Sequence, residues 1–128
     1  MCGMKTKLQA IALLVILPFA APAAPKDDLV TTFATCAGRF SALMEHQWLM
    51  GLDGADRTRA RREQMIALLE SVMPQGAGRR VLARRIQAKF ALSRLLGRVE
   101  FGTDPRDSAW AAQRVAVQIS ACDSLLLG

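Results

Sequence analysis

Three sets of side chains in this 128-residue chain could do chemistry: the cysteines Cys36 and Cys122, the single histidine His46 beside Glu45, and two dense arginine runs. Two thiols can act as nucleophile, metal ligand, haem tether or the halves of a disulfide. The start of the chain decides among these. Lys5 and Lys7 precede the apolar run Ile11 to Leu17, Pro18 breaks it, and Ala21-Pro22-Ala23 offers the small residues of a peptidase site. That order of charge, apolar run and small residues reads as a secretory signal over residues 1–23. The competing reading is a membrane anchor. Gln9 and two prolines interrupt the stretch, whereas a spanning helix needs roughly 20 apolar residues.

Cys2 precedes the apolar run, so it is no lipoprotein cysteine; it leaves with the peptide, or is never made if Met4 is the start. Cys36 and Cys122 then remain as an even pair in an oxidising compartment, which predicts one disulfide in a periplasmic or secreted protein. Closing a loop of about 85 residues stabilises by roughly 4 to 5 kcal/mol in the chain-entropy model. Against a total of about 5 to 15 kcal/mol that is a large share.

His46 as a general base or ligand would need an orienting partner. Neighbouring helical residues point about 100° apart, so Glu45 cannot orient it. The line Arg39, Ala42, His46 instead sets the ring at the edge of a buried stripe, where a structural or surface role is expected. Cys122 is followed by Asp123-Ser124-Leu125-Leu126, which excludes a C-x-x-C-H haem attachment. Met44, Met50, Met65 and Met73 read as core filler, not axial ligands. One histidine and a disulfide fall short of a zinc or copper ligand set. There is no G-x-S-x-G and no free cysteine beside a histidine. No enzyme activity, cofactor or metal is expected.

Arg57, Arg59, Arg61 and Arg62 form one basic run; Arg79, Arg80, Arg84, Arg85 and Lys89 form the other. The whole chain carries 17 basic and 11 acidic residues, and removing Lys5 and Lys7 with the signal lowers the balance from +6 to +4. Such runs suggest nucleic acid, but export argues against it. An envelope protein partner or an anionic membrane surface fits the compartment better. The plainer reading is a solvated helix face with pairs such as Arg59–Glu63 at i,i+4. The oligomeric state is not legible.

The elements that must position these residues are helical. No segment after the signal alternates at period two, Tyr is absent, and Ala, Leu, Arg and Gln dominate. Breakers divide residues 24–128, a single domain, into helices over about 28–50, 56–73, 79–98 and 104–126. Asp27 and Asp28 are expected to cap the first, Asp56 the second, and Thr103-Asp104-Pro105 opens the fourth. The first helix carries the stripe Leu29, Phe33, Cys36, Phe40, Leu43, Met44 and Gln47 or Trp48. The second presents Met65, Ile66, Leu69, Val72 and Met73. In the third, Leu82, Ile86 and Phe90 join Val81, Ala88, Leu92, Leu95 and Val99 in one broad apolar face. The fourth aligns Ala112, Val115, Ile119, Cys122 and Leu126, and leaves the burial of Trp110 undecided. Gly97, Gly102 and Pro105 are expected to separate the last two helices.

Short connectors predict an antiparallel, up-down-up-down four-helix bundle, all-α, in which the start of the first helix lies beside the end of the last. The two cysteines sit where that closure would join them. A signal peptide followed by a small helical body with one disulfide is similar in architecture to several families of small periplasmic proteins, acid-stress chaperones and toxin-immunity proteins among them. No motif carries a family assignment. The expected role is a non-enzymatic binding or accessory module for another envelope protein, using an apolar or basic face near Trp48, Met50 and Leu52. An electrostatic binder of anionic lipid or polyanion is the alternative, and a carrier or enzyme centred on His46 the third.

Overall fold

The computed structural model describes residues 25–127, and among them the chain forms four helices and no strand: α1 Lys26–Leu49, α2 Ala55–Val72, α3 Gly78–Phe101 and α4 Pro105–Asp123. The secretory signal expected over residues 1–23 lies outside the described residues.

Local chemistry sets the helix ends. Asp27 and Asp28 do not cap α1; the Pro25 carbonyl already accepts the Asp28 amide at 2.9 Å, so both carboxylates fall in the first turn. They still favour the positive end of the helix dipole there. Asp56 does not cap α2 either, because Gly54 takes that position at φ 100°, a left-handed conformation that favours glycine. Asp56 instead pairs with Arg59 at 3.2 Å, in place of the expected Arg59–Glu63 bridge. Met73 is extended before Pro74, as the residue preceding a proline should be, and α2 stops. Asp104 caps α4 as expected, accepting the Arg106 amide at 2.9 Å, with Pro105 in the first turn.

Gly97 does not break α3. The helix runs on to Phe101, because burial of Leu92 and Leu96 outweighs the roughly 1 kcal/mol that an interior glycine costs.

The helices pack as a bundle with α1 at its centre. α1 meets α2 and α3 extensively and α4 least, while α4 leans chiefly on α3. The reason is a second buried row on α1 that the apolar stripe does not contain: Val30, Ala34, Gly38 and Ala42, spaced four apart. Val30 and Ala34 pack with Val81 of α3, and Ala42 with Leu92 and Leu96. At Gly38 a Cβ would run into the Arg85 carbonyl oxygen and stand 3.0 Å from the Ala88 Cβ. Small residues thus draw the parallel helices α1 and α3 together.

That approach turns Val81, Ala88, Leu92 and Leu96 inward. Leu82, Ile86 and Phe90, expected in the same apolar face, are left 53%, 44% and 60% exposed. Trp110 is half-exposed, with the Arg98 guanidinium 4.7 Å from its ring.

On the other side of α1, Cys36 and Phe40 pack with Met65 of α2 and Cys122 of α4. Cys36 and Cys122 form the expected disulfide, with Cα atoms 5.5 Å apart. It joins the first and last helices, and α4 is the helix that packs least on α1, so the covalent link reinforces a sparse contact.

Candidate functional site

Arg84 and Arg85 are neighbours on α3, so their side chains diverge by about 100°. They fall on opposite sides of the α1–α3 contact and reach two different grooves.

Arg84 lines a depression of about 230 Å³ between α1, α3 and α4, with Thr35, Arg39, Gln87, Ala88, Ala91 and Gln118. Its Nε donates to Thr35 Oγ1 at 2.9 Å, while that hydroxyl donates to the Thr31 carbonyl at 2.7 Å. Arg39 is half-buried, and its Nη1 lies 3.8 Å from Cys122 Sγ, a weak acceptor. Burial pushes the Arg39 guanidinium below its ordinary range, and the positive charges of Arg84 and Arg114 push it the same way. None of the ion pairs among the described residues reaches Arg39, Arg84 or Arg114.

Arg85 lines a second depression of about 180 Å³, floored by Gly38, Ser41 and Glu45 of α1 and flanked by Arg62 of α2 and Leu82 and Ile86 of α3. The local device repeats: Arg62 Nε donates to Ser41 Oγ at 2.8 Å, and Ser41 donates to the Ala37 carbonyl at 2.8 Å. Lys89 Nζ meets Glu45 Oε1 at 2.6 Å. Burial lowers the Arg85 guanidinium, Arg62 adds to the effect, and Glu70 opposes it. Both grooves therefore hold paired arginines that repel each other.

The remaining candidates scatter. Arg61 is structural: its Nη1 bonds both Asp123 carboxylate oxygens at 2.7 and 2.8 Å, its Nη2 reaches Thr58 Oγ1 at 3.1 Å, and it stacks over Phe40. This ties α2 to α4. Arg59 lies over the half-exposed Trp48 ring at 5.0 Å. Arg80 approaches Asp27 at 3.9 Å on an exposed surface, and Arg57 and Arg79 are exposed.

His46 lies at the edge of the buried stripe, as its spacing implied. Its Nε2 stands 3.8 Å from Glu100 Oε2, with the ring largely covered. Glu45 is engaged by Lys89 and Arg39 points to the disulfide, so the structure does not bring the three together. Trp48, Leu49 and Leu52 are exposed at the α1–α2 turn, with Met50 half-buried among them.

Sequence reasoning passed over Thr35, Ser41, Gln87 and Gln118, which hold or face the groove arginines. Thr35 and Ser41 act across helices, on Arg84 of α3 and Arg62 of α2, so no spacing within one helix announced them. Among the described residues, no cluster of three or more His, Cys, Asp or Glu could hold a metal ion. No family model, curated protein or solved structure matches the chain.

Proposed function

We propose that the chain is exported to the periplasm or secreted, and works there as a non-enzymatic binding module. Its α2–α3 groove takes an acidic amphipathic helix of another envelope protein. The observation that carries this reading is the row Leu82, Ile86 and Phe90: three apolar side chains one helical turn apart, all exposed. Contiguous exposed apolar surface marks an interaction site more often than chance surface does. Helix-in-groove recognition uses anchors at this spacing. Arg62 and Arg85 beside the row repel each other, so an acidic partner relieves that repulsion as it docks. The compartment is supported by the paired cysteines and the signal-like start, and it disfavours nucleic acid as the partner. His46 beside Glu100 and both cysteines in the disulfide leave the usual catalytic groups engaged.

The test is affinity capture from the cell envelope with the mature protein and its Ile86→Glu variant, with a photo-crosslinker at position 82. A crosslinked acidic protein that Ile86→Glu and high salt both release is the expected result. Equal capture by the variant would sink the reading. Sedimentation with anionic vesicles, lost in Ile86→Glu, would overturn the protein partner and give the face to lipid.

A further inference from the structure

The two sulfurs of the bridge sit in unlike surroundings. Cys122 is wholly buried, and its Sγ takes the Arg39 Nη1 contact at 3.8 Å. Arg39 belongs to none of the ion pairs among the described residues, so its charge stands uncompensated beside that sulfur. The neighbouring carboxylate, Asp123, is taken up by Arg61 through both oxygens. Cys36 is 3% exposed and lines a depression of about 270 Å³, with Thr31 and Thr35 on one side, Leu125 on the other, and Arg39 and Arg84 at its wall. Cys122 does not line it. A bridged sulfur is neutral and accepts weakly, so the guanidinium gains little from it. The same guanidinium would stabilise a thiolate strongly.

We infer that the bridge is a site of thiol exchange with a small carboxylate-bearing thiol of the glutathione type, attacked at Cys36 and released at Cys122. The incoming thiol gives its proton to solvent, and its thiolate enters from the depression and forms a new S–S bond to Cys36 Sγ. The Cys36–Cys122 bond breaks, and Cys122 leaves with the electron pair as a thiolate beside Arg39. One disulfide replaces another, so no oxidant is consumed. Exchange is faster when the departing sulfur is the better-stabilised thiolate, which sets the direction of opening. Arg39 and Arg84 give the depression a positive wall that draws an anionic nucleophile. Opening the bond loosens α4, which packs little on α1, while α1 keeps its extensive contacts with α2 and α3.

The experiment incubates the folded, oxidised protein with glutathione, quenches in acid, alkylates the free thiols and maps both cysteines by peptide mass. Glutathione on Cys36 and the alkyl group on Cys122 are expected. Exchange should slow about threefold in Arg39→Gln, and Arg39→Lys, which keeps the charge, should exchange faster than Arg39→Gln. Cysteamine, a cationic thiol, should react more slowly than glutathione at equal thiolate concentration. Val81→Ala separates this route from global unfolding, because it trims a core cluster that does not contain the sulfurs. Exchange through the unfolded chain would speed up about fivefold or more in that variant, whereas an unchanged rate is expected. Glutathione found mainly on Cys122, an undiminished rate in Arg39→Gln, or acceleration in Val81→Ala would each overturn the site. A faster reaction with cysteamine would overturn the anionic thiol.

Discussion

Asp107 is partly exposed, and its carboxyl is held below its ordinary 3.8, first by hydrogen bonds from Arg98. Arg98 donates through Nε at 2.9 Å and through Nη2 to the other oxygen, and also lies against Trp110. A carboxylate with a depressed folded value adds stability above its ordinary pKa and loses it as pH falls through the depressed value. The urea midpoint of wild type should therefore exceed that of Asp107→Asn at neutral pH. The gap should close as pH falls through the depressed value. A gap that persists in acid would assign the effect to packing. This pair joins residues nine apart across the α3–α4 connector. No helical spacing announces it, which is why the sequence reading missed it. Cys36 and Cys122 were legible because their even count and their places at opposite ends of a bundle point the same way, whereas Arg61 read as one of a run until Asp123 and Phe40 were seen to hold it.

At the scale of the helices, the contest is sharpest at Gly38. Alanine there would gain about 1 kcal/mol of helix propensity. It would also drive a Cβ into the Arg85 carbonyl, and overpacking costs about 1 to 3 kcal/mol even where side chains can adjust. Backbone cannot step aside as a side chain does, so the clash wins. Gly38→Ala should lower stability by about 2 kcal/mol, read as a lower urea midpoint at unchanged slope. A stabilised variant would mean that α1 and α3 stand farther apart than described. The four helices themselves were readable from breakers and periodicity, with bounds within a few residues. The row Val30, Ala34, Gly38, Ala42 was not, since alanine and glycine carry little apolar signal. Because that row sets how α3 is rotated, the sequence could not say which of its two apolar lines would face outward.

The whole molecule depends on the link between its ends. Cys36 and Cys122 lie 86 residues apart and join helices with little other contact. Replacing both with serine should cost about 4 kcal/mol, measured as a lower unfolding midpoint. Dithiothreitol should produce the same fall in wild type and none in the variant. Equal midpoints for wild type and variant would mean that α4 holds by packing alone.

A consequence lies in how the bridge encloses the middle of the chain. α2, α3 and all three connectors lie inside the loop it closes. A protease that cuts one of those exposed connectors frees no piece, because the two halves stay joined through sulfur. The nicked protein keeps its helices at high effective concentration and can close again around the wound. Wherever a protease reaches the protein, the bridge converts a fatal cut into a survivable one.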